Sequence, residues 1–209
     1  MLSILIGEQP DIFKAVLDFY CPKGKAFLDI TYGHGKLWTS IDPERYDVLA
    51  TNDVNPESLA HNHFRIGELP DHFDKNKYDA IIYDPPYKYN KSSYILFGQK
   101  DDRDWRPRTT LWQPKDQVKS AGALNVVAPI LLGPEGTLIV KIMDTRLEGK
   151  LILNDKIIID NLTNFTLFDR VVYIRNLVGI FRQKKVAQTA HGFYLIFKRR
   201  ELLRGLMNL

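Results

Sequence analysis

The chain has 209 residues, 44% hydrophobic and 11% aromatic, enough to bury a core of ordinary size as a single domain over 1–209. Its 29 Lys+Arg against 25 Asp+Glu give a formal charge of +4 and a pI of about 9.0, a mild basic excess that permits a nucleic-acid partner without requiring one. One cysteine, Cys21, excludes an intrachain disulfide framework and a multi-cysteine zinc site, and suits a reducing, cytoplasmic setting.

Nowhere do 18 apolar residues run together, and the N-terminal MLSILIGEQPDIF lacks the basic flank of a signal peptide, so neither membrane insertion nor secretion is expected. The consecutive sequons at Asn161 and Asn164 are accordingly read as chance.

In chain order, DIFKAVLDFY (11–20) has a helical apolar face, and CPKGK breaks it. AFLDI is a short strand, TYGHG a tight loop, and KLWTSI is compatible with a helix. DVLATND reads as a second strand ending at Asp53, PESLAHNHF as a short helix with Pro56 in its first turn, and YDAIIYD as a buried strand. Lys88 to Pro114 shows no period and exceeds the length of most connecting loops. DQVKSAGALNVVAPILL then reads as a helix, GPEG as a turn and TLIVKIM as a strong strand. LILNDKIIIDNLTNF follows as a helix, and DRVVYI and GFYLIFKR as strands within a basic C-terminal hairpin at about 171–200. Strands alternating with helices predict an α/β, Rossmann-like fold, with a mainly parallel sheet, an antiparallel edge strand and helices on both faces.

In such a sheet ligands bind beyond the carboxyl ends of the strands, so strand-terminal acids and glycines are the residues to inspect. Asp29 ends the first strand of this pattern, and Gly33 and Gly35 follow, where absent side chains let the backbone approach a ligand; a plain tight turn fits the same residues. A P-loop is excluded, since its spacing needs glycine where Ile30 stands and Lys36 is followed by Leu37. Asp53 lies 20 residues after Gly33, the spacing of a ribose-binding acid, although a helix N-cap would also use it.

The most specific segment is Asp84-Pro85-Pro86-Tyr87. A strand delivers the acid to the sheet rim, and the two prolines fix φ and supply carbonyls without a competing N–H. A carboxylate and a main-chain carbonyl can each accept one N–H of an exocyclic amine, while Tyr87 offers a face for stacking a base. The alternative is a proline-terminated edge strand.

The ordered set FLDITYGHG, TNDVNP, HFRIGELPDHFDKNKYDAIIYDPPY and GTLIVKIMD resembles the S-adenosylmethionine-dependent amino-methyltransferases, especially the DNA N6-adenine and N4-cytosine enzymes, over roughly residues 26 to 144. The resemblance implies a class I methyltransferase fold, S-adenosylmethionine as cofactor and S-adenosylhomocysteine as product. It implies that Gly33 and Gly35, with Asp29, Thr31 and Tyr32, hold the methionine part, that Asp53 beside Val54 takes the ribose, and that Phe64 and Arg65 stand at the cofactor adenine. Asp84, Pro85, Pro86 and Tyr87 are then the catalytic residues. Thr31-Tyr32 replaces the family's usual aromatic-glycine start of the loop, and no acid stands beside Phe64 and Arg65.

Lys88, Tyr89, Lys91, Arg103, Trp105, Arg106 and Arg108 mix cations with aromatics directly after the motif, which makes about 88–114 a candidate nucleic-acid-gripping insertion; Asp101, Asp102 and Asp104 fit a solvated surface loop equally. Arg182, Lys184 and Lys185 allow the same two readings. His61 and His63 lack further ligands nearby, so no metal is expected, and His34 reads as a loop polar group. Cytosine-C5 chemistry needs a thiolate near the site, whereas Cys21 precedes the cofactor strand in a turn. The expected activity is methyl transfer to adenine N6 in DNA; the alternatives are an RNA amino-methyltransferase and an inactive nucleic-acid-binding subunit.

Overall fold

The structure, a computed structural model, describes residues 4–85, 114–147, 150–175 and 191–200. In chain order the elements are strand β1 (Ile4–Gly7), helix α1 (Gln9–Tyr20), β2 (Ala26–Asp29), β3 (Val48–Thr51), the one-turn α2 (Leu69–His72), β4 (Tyr78–Tyr83), α3 (Pro114–Leu131) and β5 (Leu132–Ile142). A ribbon of β6 (Thr145–Leu147) and β7 (Lys150–Ile152), helix α4 (Asn154–Asn161), β8 (Phe165–Arg175) and β9 (His191–Arg199) follow.

Among the described residues, seven strands form one sheet in the order β1-β8-β9-β5-β4-β2-β3. All run parallel except β9, which is antiparallel to both β5 and β8. The sheet is covered on both faces, and the side-chain period of two explains why its strands read as continuous apolar runs. Leu28, Ile81, Tyr83, Leu138, Val140 and Leu195 pack against α3 and α4. Their neighbours Phe27, Ala80, Ile82, Ile139 and Ile196 pack against Ile12, Phe13, Val16 and Leu17 of α1 and against Trp38.

The mainly parallel α/β fold expected from the sequence is present, with several local differences. The reversed strand β9 is interior rather than at the edge, because β8 pairs on its far side, and the four-residue β1, which the sequence pattern does not predict, adds beyond β8. The helix expected over PESLAHNHF is a turn: Asp53 Oδ1 accepts from Asn55 N at 2.8 Å and Asn55 Oδ1 from Glu57 N at 2.9 Å, while Leu59 N donates to Gly33 O at 2.7 Å. Asx turns capture the amide donors that a helix would have needed. KLWTSI forms a single 3-10 turn, Lys36–Trp38. LILNDKIIIDNLTNF divides into β7 and the eight-residue α4, and GPEG lies in β5 where the β4 ladder jumps from Tyr78↔Leu132 to Ala80↔Thr137. Of the basic hairpin, β8 and β9 are described, whereas Arg182, Lys184 and Lys185 lie outside the described residues.

β2 continues outward to β3, whereas β4 returns on the other side of β2. The topological switch point therefore lies between β2 and β4, the strands that end at Asp29 and lead into Asp84.

Candidate active site

The parallel ladders place the site residues in advance of any ligand. Asp29 lies across from Ile82, and Tyr83 across from Val140. Two residues beyond the first pair Thr31 comes level with Asp84, and one beyond the second Asp84 comes level with Lys141. The contacts follow this register: Asp84 N donates to Thr31 Oγ1 at 2.6 Å, and Lys141 Nζ donates to Asp84 Oδ2 at 2.6 Å. Pro85 is buried behind the acid. Pro86, Tyr87, Lys88, Tyr89, Lys91, Arg103, Trp105, Arg106 and Arg108 lie outside the described residues.

The glycine loop is held from beneath. Asp29, 1% exposed, accepts from Thr31 N at 3.0 Å through Oδ1 and from Trp38 Nε1 at 2.7 Å through Oδ2. Both of its oxygens are thus engaged inside the loop, so Asp29 shapes the turn from below. Burial raises its pKa to about 7, against the pull of the Trp38 and Thr31 donors, and the nearby Asp84 and Asp53 charges push it the same way. Gly33 and Gly35 take left-handed conformations, φ 57° and 70°, as the tight turn requires. A Cβ at Gly33 would meet nothing within 4 Å, whereas one at Gly35 would collide with the Tyr32 ring.

Asp53 closes onto this loop: Oδ2 accepts from Gly33 N at 2.9 Å and Oδ1 from Asn55 N at 2.8 Å. A carboxylate has about four lone-pair sites, so roughly two remain for further donors. Val54 beside it is 37% exposed. Phe64 is held by Asn52, whose Nδ2 donates to Phe64 O at 3.0 Å while Oδ1 accepts from Phe64 N at 2.8 Å. The Phe64 ring stacks on His72 at 3.6 Å between centroids. Arg65 is exposed, and its backbone N donates to Glu68 Oε2 at 2.8 Å. The structure thus brings Asp29, Thr31, Tyr32, Gly33, Gly35 and Asp53 together around one loop and ties Asp84 to it through Thr31.

Two residues went unrecognised in sequence reasoning. Asn52, 1% exposed, clamps the Phe64 backbone, and its carbonyl accepts from Tyr32 N at 3.1 Å. Lys141 is the other; a lone cation in the otherwise apolar TLIVKIM was a readable signal, since lysine is almost never fully buried unless paired.

The two histidines considered for a metal are used locally: His61 Nδ1 lies 3.2 Å from Thr51 Oγ1, and His63 Nδ1 lies 2.9 Å from Asp53 O. Cys21 belongs to a groove at the opposite rim, lined also by Asp79 at the start of β4. Five residues of strand separate Asp79 from Asp84, roughly 16 Å at the usual rise. Burial, moreover, raises the thiol pKa.

No protein-family model and no curated protein sequence matches the chain. Solved structures do. They include a SAM-dependent methyltransferase from Methanosarcina mazei, 13% identical over 88% of this chain and 96% of that one at TM-score 0.50. A SAM-dependent methyltransferase from Leishmania major is 12% identical over 90% of this chain and 72% of that one, TM-score 0.50. TrmN from Thermus thermophilus is 13% identical over 91% of this chain, TM-score 0.50, and the chain spans 48% of its length. At these identities the likeness is one of fold, and that fold is the class I, Rossmann-like methyltransferase fold.

Proposed function

We propose that the chain is an S-adenosylmethionine-dependent methyltransferase acting on the exocyclic amine of a nucleobase, adenine N6 in DNA. The observation that carries this reading is the hydrogen bond of Asp84 N to Thr31 Oγ1, which couples the amine-binding motif to the glycine loop across the switch point.

The residues present fit the cofactor. Gly33 faces open space, Asp53 keeps acceptor capacity for ribose hydroxyls, and Phe64, followed by Arg65, is held by Asn52, the residue before Asp53. Thr31, Tyr32, Gly33 and Gly35 would flank its methionine part over the buried Asp29, and Asp53 beside Val54 would take the ribose. The cofactor supplies an electrophilic methyl group. The chain's own task is to present the amine: Asp84 and a main-chain carbonyl of the motif each accept one N–H, which orients the nitrogen and gains strength as positive charge develops there. Tyr87 would stack the base, and the insertion from Lys88 to Arg108 would hold the nucleic-acid backbone. With methyl transfer the amine loses one proton to water, so no strong base is needed.

Incubation with tritiated cofactor and separate pools of DNA, RNA and protein, followed by nucleoside mass analysis, tests the substrate class and the modified atom together. Label in N6-methyl-2′-deoxyadenosine, confined to DNA, is the expected outcome; label confined to protein would overturn the reading. The likeness to TrmN, a tRNA methyltransferase, favours RNA as the second reading, with adenine N6 or guanine N2 as target.

A further inference from the structure

We propose that Lys141 is a positioning residue of this site: it occupies Oδ2 of Asp84, holds the carboxylate in one rotamer and leaves Oδ1 to accept the substrate amine. The inference rests on the amine-methylation reading above and deepens it.

Three observations carry it. First, the exposures are unequal: the Lys141 side chain is 2% exposed and that of Asp84 20%, so the cation lies behind the acid and the acid faces the accessible side. Second, Asp84 is fixed at both ends, its backbone N–H on Thr31 Oγ1 and its Oδ2 on Lys141 Nζ, each at 2.6 Å. Among the described residues Oδ1 receives no hydrogen bond, and it is this oxygen that we assign to the amine. Third, Lys141 is flanked within the fold, with Tyr194 across the ladder on β9 and the Tyr173 ring centroid 5.9 Å from Nζ.

The core gains little from such a pair. Desolvating an ammonium is expensive, and an apolar residue of the same volume would serve packing as well or better. A ladder position that alternates Leu138, Val140 and Ile142 on one face with Ile139 and Lys141 on the other has no packing need for a cation. Orientation of the carboxylate is the return. One oxygen anchored and one presented makes Asp84 a directional acceptor, and misplacing such a group by a fraction of an ångström costs turnover far more than binding.

The test compares K141M, K141R, D84N and D84N/K141M by thermal melting, cofactor calorimetry and methyl transfer to the nucleic-acid pool that the wild-type enzyme modifies. K141M keeps the length and apolar contacts of the stem. The expected result is a fall in kcat of about a hundredfold with cofactor Kd within about threefold, since only an orienting interaction is lost. K141R, which keeps the cation, recovers at least about tenfold of that loss, and D84N/K141M is no slower than D84N, because Lys141 acts only through Asp84. Should K141M not fold, K141Q, which retains a neutral donor, takes its place. A wild-type kcat in K141M, or losses that multiply in the double variant, overturns the role of Lys141 alone. A wild-type chain that methylates no nucleic acid overturns the amine reading first, and the role of Lys141 with it.

Discussion

Thr31 and Asp84 lie 53 residues apart in the chain and meet through a 2.6 Å hydrogen bond, the hydroxyl of the glycine loop accepting the amide of the acid. Thr31→Val keeps the side-chain shape and removes the acceptor. The expected cost is about 1–3 kcal/mol in urea denaturation, from an amide left without its partner, together with a kcat about tenfold lower as Asp84 loses its backbone anchor. An unchanged stability would show that the bond contributes nothing.

Asp84 and Asp53 are expected to separate in function. Asp84→Ala removes the amine acceptor, so methyl transfer falls at least about a thousandfold while cofactor Kd moves by less than about threefold. Asp53→Ala removes the carboxylate that holds Gly33 N and chiefly weakens the cofactor. Calorimetry with the cofactor and a turnover assay on both variants check this, and equal losses of cofactor affinity would refute the division of roles.

Gly33→Ala distinguishes a ligand cradle from a plain turn. Its φ of 57° is strained for alanine, at about 1–2 kcal/mol, yet the added Cβ meets nothing within 4 Å of protein. Modest loss of stability with at least about a tenfold loss of cofactor affinity is expected if that space belongs to the cofactor. An affinity that stays at the wild-type value would mark the glycine as a turn residue only.

Asp29 makes stability depend on pH. Its pKa is about 7 in the folded protein against an ordinary 3.8, raised first by burial. The folded chain therefore binds the proton more tightly than the unfolded one. The stabilising contribution is present in full below the ordinary value and is lost as pH rises to about 7. Over that window this group lowers stability by up to about 1.4 kcal/mol per pH unit. Asp29→Asn abolishes that slope, so the wild-type advantage over the variant should shrink between pH 4.5 and 7.5 in urea titrations. A difference independent of pH would place the titration elsewhere.

The C-terminal half shows how far local pattern reaches. The alternation in TLIVKIM, with both faces apolar, identifies a strand covered on two sides and finds β5 directly. The same local logic fails at PESLAHNHF, where proline and helix-compatible residues suggest a helix, but Asp53, Asn55 and the Gly33 carbonyl take its amides. It also fails for β1, because an edge strand of four residues draws its definition from pairing with β8, about 168 residues away, and not from its own composition.

By itself the sequence determined which residues could do chemistry: acids and glycines at the ends of apolar strands, and a proline-stiffened acid, since composition and short-range periodicity are properties of neighbours along the chain. The tertiary structure alone decided which of them meet. Parallel register sets Thr31, Asp84 and Lys141 abreast, and burial places Asp29 beneath the loop with its oxygens on Thr31 and Trp38, because register and desolvation depend on atoms brought from distant parts of the chain.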